Sequence, residues 1–243
     1  MSSHPIYAVW AVPRSASTAF ERMCIERGDL RVRHEPYAAG YYYGADRRHQ
    51  RFAPEGPPDP GNGFAALTAS LLRTATEGPV LLKDMAYYVA HRPALLDNFV
   101  NSFLIRHPRA SLASLHRQLP DFTEEEAGFL ALEQLFEREQ LRLGRTPPLL
   151  DANDLCANPA GMIAAWCEAI GLPFMPAALH WRPGALPEWA GRDQFHDAVA
   201  LTRGFEALPD PRKQALPEAP ALDCLPRCLA IYERLHALRL RPR

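Results

Sequence analysis

The chain has 243 residues, 47% of them hydrophobic and 23% charged, a balance that fits one folded domain over residues 1–243. A formal net charge of −1 argues against a nucleic-acid or membrane-surface binder, which carries a basic excess. Cys24, Cys156, Cys167, Cys224 and Cys228 are odd in number and lack small-scaffold spacing, so reduced thiols in a cytoplasmic protein are expected.

Short apolar runs that end on polar residues alternate with helical patterns along the chain. Strands are predicted over Ile6–Val12, Leu30–His34, Val80–Asp84, Ser102–Arg106 and Leu149–Asp151. The first helix is expected from Ser15, with Phe20, Met23 and Cys24 inward and a stop at Gly28. The second spans Phe64–Ala75, with Leu67, Leu71 and Leu72 as its core stripe, and the third runs from Arg109 to Gln118. Thr123 and Glu126 form a capping box for one long helix reaching Leu143. Further helices are expected over Pro159–Ile170 and Leu225–Leu238.

A polar Pro- and Gly-rich mobile loop is predicted between Gly44 and Gly63, and an irregular cap over 172–220. This order predicts an α/β fold with a mainly parallel sheet. No apolar stretch is long enough to span a membrane, and the run before Pro13 is too short for a signal peptide. Cys224 and Cys228 lie four apart but lack a second pair, so no metal site is expected.

The most telling segment is VPRSASTAF, Val12 to Phe20, where a strand turns into a helix. Backbone N–H groups at a helix N-terminus, a fixed arginine and hydroxyl donors together favour an anion. Arg14, Ser15, Ala16, Ser17 and Thr18 form this cradle. It is not a Walker A loop, because both the glycines and the lysine are missing. The bland alternative is a simple N-cap at Ser15 or Ser17. A second segment, SFLIRHPRASLASL, ends a strand at Arg106 and carries Ser114 two turns into the following helix. Arginine and hydroxyl there can clamp a second phosphate.

Together the two segments resemble the cofactor-binding motifs of sulfotransferases that use 3′-phosphoadenosine 5′-phosphosulfate (PAPS). Pro13, Arg14, Ser15, Ser17 and Thr18 match the first motif, and Arg106, Pro108, Arg109 and Ser114 match the second. The resemblance extends to Leu149–Phe174. The run WAVPRSASTAFERM…HEPYAAGYYYG is similar to a bacterial sulfotransferase-like group that also occurs joined to, or named after, branched-chain aminotransferases. Nothing in the chain resembles a pyridoxal-phosphate domain.

The resemblance implies a P-loop NTPase-like three-layer core of about five parallel strands, with helices on both faces. It implies PAPS as sulfuryl donor, Arg14 and the loop at the 5′-phosphosulfate, and Arg106 with Ser114 at the 3′-phosphate. A small acceptor would offer a hydroxyl or an amine. Lys83 matches the family's strand-end lysine, but Met85 stands where cytosolic members carry a histidine. Some bacterial members instead place a glutamate after the second strand, where His34-Glu35-Pro36 sits, so the resemblance implies Glu35 as general base, with His34 next and Asp84 third. A structural carboxylate paired with a loop arginine is the competing role for Glu35. Tyr41, Tyr42, Tyr43, Tyr87 and Tyr88 fall where an acceptor pocket would lie. Arg47, Arg48 and Arg51 hint at an anionic acceptor, against a merely solvated loop. His107 and His116 read as solvated, Trp166 as core, and Trp181 and Trp189 as cap residues that can approach adenine. Two alternatives stay open: a non-catalytic nucleotide- or anion-binding module, and a small-molecule kinase. Oligomeric state is open.

Overall fold

A computed structural model describes residues 4–45, 47–49, 51–52, 59–184, 186, 189 and 197–243. Parts of the expected 44–63 loop and 172–220 cap therefore lie outside the described residues. The five expected strands all form: β1 (Ile6–Ala11), β2 (Arg31–His34), β3 (Val80–Met85), β4 (Val100–Ile105) and β5 (Leu149–Asp151). All pairings are parallel, in the order β2-β3-β1-β4-β5. Every residue of β1 and of β3 is buried, as a strand covered on both faces requires.

Eleven helices form among the described residues: α1 (Ser17–Glu26), α2 (Pro36–Tyr43), α3 (Phe64–Thr74), α4 (Ala86–Val89), α5 (Pro108–Gln118), α6 (Glu124–Ala127), α7 (Phe129–Leu143), α8 (Ala152–Ala157), α9 (Pro159–Ile170), α10 (Asp197–Ala200) and α11 (Leu225–Ala237). Successive residues of a strand point to opposite faces of its sheet. On β4, Ser102 accepts a hydrogen bond from the Trp166 indole of α9, while its neighbour Phe103 packs edge-on against Phe136 of α7. Helices thus cover both faces, with α1 beside α9 through Phe20 and Trp166. On the face of α7, Trp10 stacks on Tyr37 of α2. None of the described helices is long and apolar enough to cross a membrane.

Two helical expectations are corrected. The capping box of Thr123 and Glu126 is present, but it starts only the four-residue α6. Gly128, at φ +80°, then turns the chain into α7, so no single helix runs from the capping box to Leu143. In α3 the inward residues include Phe64, Thr68 and Leu71, whereas Leu72 is exposed. Thr68 is satisfied there by the Phe64 carbonyl and the Tyr37 hydroxyl.

The chain leaves β1 toward β2 on one side and leaves β4 toward β5 on the other. The carboxyl ends of β1 and β4 therefore flank a switch point, the position where open α/β sheets bind ligands.

Candidate active site

The loop from Val12 to Ala16 opens at this crevice. Arg14 and Ala16 both sit at positive φ, 60° and 62°, which for side-chain-bearing residues is strained backbone held by its surroundings. Four bonds supply the hold. The Ser15 hydroxyl donates to the Val12 carbonyl at 2.7 Å, and the Ser111 hydroxyl of α5 donates to the Pro13 carbonyl at 2.8 Å. Arg106 Nη1 donates to the Arg14 carbonyl at 2.8 Å, and Arg14 Nε donates to Ser114 Oγ at 3.1 Å. Ser15 is thus a brace rather than a cap. The first turn of α1 carries neither a side-chain cap nor an acidic residue. Ala16, Ser17 and Thr18 at this helix start line the cavity, so the positive end of the α1 dipole lies beside it.

Burial pulls Arg14 below the usual arginine range, and Arg106 and Arg117 add repulsion. Arg106 is lowered in the same way, by burial first. Its Nε is buried without a hydrogen-bond partner, and among the described residues no carboxylate pairs with it. Desolvated guanidiniums of this kind call for an anion.

A cavity of about 400 Å³ runs from this cradle toward α2, α4 and α6. Around the cradle it is lined by Arg14, Ala16, Ser17, Thr18, Arg106 and Cys156, and the cap adds Thr202, Gly204, Glu206 and Leu208. Its other end is lined by Glu35, Tyr42, Tyr43, Phe52, Tyr87 and Tyr88, with Met85, Leu119 and Glu126. Ser15 and Ser114 are not among the lining residues; they hold the loop and Arg14.

Glu35 sits at φ 40°, just before α2, where its side chain can line the cavity. It pairs with Lys83, whose Nζ lies 2.5 Å from Glu35 Oε1 and 3.5 Å from Glu21 Oε2. Lys83 is wholly buried behind Glu35 and does not line the cavity. Burial alone would lower its pKa, but Glu35 and Glu21 outweigh that and leave it raised. His34 also stands back from the cavity, with its Nδ1 2.9 Å from Glu21 Oε2. Asp84 is fully buried and accepts from the amides of Tyr37 and Met85 at 2.8 and 3.0 Å, so it starts α2 and α4. Burial pushes the Asp84 carboxyl well above the usual range, and Glu35 adds to the rise. Of the three carboxylate or imidazole candidates for base, Glu35 alone reaches the cavity.

Burial raises the phenols that line the cavity: Tyr42 is pushed up to about 12, and Tyr87 and Tyr88 rise well above their ordinary value. They stay neutral at physiological pH. Arg51 is not a waiting cation. It bonds Glu126 through Nε at 2.8 Å and Nη2 at 3.0 Å, and Asp121 through Nη1 at 2.6 Å.

Other expectations shift as well. His107 is not merely solvated; its Nδ1 accepts from the Arg109 amide at 3.3 Å and so caps α5. Trp181 and Trp189 are buried away from the cavity, and Trp181 donates to Thr202 Oγ1 at 3.1 Å, steadying a cap residue that does line it. Trp166 is core, fully buried. Sequence reasoning missed Glu21 and Ser111. The signal for Ser111 was its place one turn before Ser114, on the same side of α5.

The fold and cradle define an α/β domain that gathers Arg14 and Arg106 at the carboxyl ends of β1 and β4. The model of the sulfotransferase domain family matches residues 6–239, and the chain belongs to that family. Two Arabidopsis thaliana proteins are similar in sequence. Branched-chain-amino-acid aminotransferase-like protein 2 is 23% identical over 93% of this chain, and protein 1 is 24% identical over 98%. The chain spans only 40% and 42% of those proteins' own lengths. Among solved structures, the sulfotransferase domain of the Synechococcus PCC 7002 olefin synthase superposes with a TM-score of 0.59 at 20% identity, covering 99% of this chain and 98% of that one. The sulfotransferase domain from the curacin biosynthetic pathway gives 0.51 at 16% identity, covering 99% of each. These two likenesses speak to the fold.

Proposed function

We propose that the protein transfers a sulfuryl group from PAPS to a hydroxyl or amine of a small acceptor. The observation that carries this reading is the pair of desolvated arginines at the crevice, with Arg106 Nε buried and unpartnered. PAPS fits that charge pattern: the amides of the α1 first turn, Ser17, Thr18 and Arg14 would hold its 5′-phosphosulfate. Arg106 would hold the 3′-phosphate, and Thr202 and Gly204 of the cap, which line the same cavity, would face the nucleoside. When bound, PAPS supplies the activated sulfuryl group.

The chain's own residues do the rest. Glu35 takes the acceptor's proton at its carboxylate; of Glu35, His34 and Asp84 it is the one that lines the cavity. Lys83 holds that carboxylate in place from behind. Arg14 and the uncapped α1 amides stabilise the negative charge that develops as the bond to the leaving phosphate lengthens. The neutral tyrosine wall keeps water from the reacting atoms. A loop lacking the Walker lysine gives no support to a kinase.

The test is label transfer from sulfur-labelled PAPS into broad pools of small alcohols, phenols and amines. Labelled product is expected, and Glu35→Gln should lower its rate by about 10²–10⁴-fold with little change in affinity for adenosine 3′,5′-bisphosphate. Bisphosphate binding with no label transferred to any pool would favour a binding module instead.

A further inference from the structure

The acceptor end of the cavity carries a charge arrangement that the sequence did not foreshadow. The acidic residues that line the cavity among those described are Glu35, Glu126 and, from the cap, Glu206. The cations that line it, Arg14 and Arg106, belong to the cradle, and Glu35 lies near enough to Arg14 to act on its charge. Glu126 is buried, and its two oxygens are fully engaged. Oε1 accepts from Arg51 Nε, and Oε2 accepts from Arg51 Nη2, the Thr123 amide and the Thr123 hydroxyl. Beside Arg51 in sequence, Phe52 packs edge-on against Tyr42 with ring centroids 5.0 Å apart and lines the same end.

Resting on the sulfotransferase reading of this cavity, we propose that Arg51 is a specificity-determining residue. By neutralising Glu126 it makes the acceptor end select an uncharged molecule with an aromatic or apolar body. Anionic acceptors find both cations, Arg51 and Lys83, already engaged by the carboxylates of the wall. Cationic acceptors find one carboxylate held by Arg51 and the other by Lys83. Arg51 thus offers no charge to an anionic acceptor, because it is already spent on Glu126 and Asp121.

Three probes with one phenol body test this: 4-ethylphenol, 4-hydroxyphenylacetate and tyramine. Their binding is measured calorimetrically on the whole protein, with and without adenosine 3′,5′-bisphosphate. The unaltered protein should bind 4-ethylphenol at least about tenfold more tightly than the anion. Arg51→Gln uncovers Glu126 and should raise tyramine relative to 4-ethylphenol by about tenfold. Glu126→Gln keeps the capping box and should shift preference the opposite way, toward 4-hydroxyphenylacetate. The double variant should return to the neutral probe. A merely structural role for Arg51 would weaken all three probes together, and that result overturns the proposal. So does an unaltered protein that prefers the anion, or one that binds the bisphosphate and none of the probes. If the bisphosphate fails to bind while the opposed shifts appear, it is the donor assignment that fails.

Discussion

Arg14 Nε donates to Ser114 Oγ at 3.1 Å, so the serine expected beside Arg106 holds the other arginine instead. Arg106 in turn fixes the Arg14 carbonyl. Both guanidiniums of the crevice are tied to one strained loop. Ser114→Ala should therefore disorient Arg14 and lower kcat by roughly tenfold or more, the scale of a hydrogen bond to a charged group. Affinity for adenosine 3′,5′-bisphosphate should change by less than about threefold. A large loss of bisphosphate affinity with kcat intact would return Ser114 to the 3′-phosphate.

Lys83 is caged by two carboxylates in a dry interior. Replacing it with Met leaves Glu21 and Glu35 facing each other without a cation, at a cost of about 3–5 kcal/mol. For a chain of this size that is a fall in Tm of roughly 10 °C, readable by calorimetry. Adding Glu21→Gln should restore part of it. Because the folded pKa of Lys83 is raised, its contribution is complete below the ordinary lysine value of about 10.4. That contribution is lost only as pH rises through the raised value.

His107 titrates with the opposite sign. Burial lowers its pKa, and its Nδ1 must stay unprotonated to accept from the Arg109 amide. Between the lowered value and the ordinary one of about 6.5, the unfolded chain binds more protons. Stability should fall as pH drops through that window. His236, also lowered by burial, contributes in the same direction. His107→Asn keeps a capping side chain and removes one titration, so the slope of Tm between about pH 5 and 7 should shrink without vanishing.

Gly128 lies where the gap between α6 and α7 meets the cradle. A Cβ at this residue would stand 3.0 Å from Pro13 Cδ and 3.5 Å from Tyr87 Cδ1. Gly128→Ala combines an αL penalty of about 1–2 kcal/mol with pressure on the Pro13 end of the loop. Both Tm and bisphosphate affinity should drop, and a drop in Tm alone would show that the loop does not feel this contact.

The strands were legible because each is a short apolar run with polar punctuation, and five such runs leave little choice of sheet. The cradle was legible because its strand, turn and helix start are contiguous. What escaped were features made by distant residues. Glu21 reads as an ordinary exposed glutamate in a helix, yet it is wholly buried between His34 and Lys83, which come from other strands. In α2, the residues PYAAGYYY show no polar face, so no helical period marks them. Gly128 interrupts a pattern whose capping box and periodicity both promised continuity; only the close approach of Pro13 explains the break. Arg51 could not be told from a solvated loop arginine until Glu126 and Asp121 were beside it.

The central claim is that the crevice between β1 and β4 is a site for a nucleotide bearing a 3′-phosphate. Calorimetric titration of the unaltered protein and of Arg106→Ala with adenosine 3′,5′-bisphosphate, adenosine 5′-phosphate and ATP tests it directly. The bisphosphate should bind most tightly, and Arg106→Ala should weaken it far more than it weakens the 5′-phosphate. Tighter binding of ATP, or equal losses for the two adenosine phosphates, would contradict it.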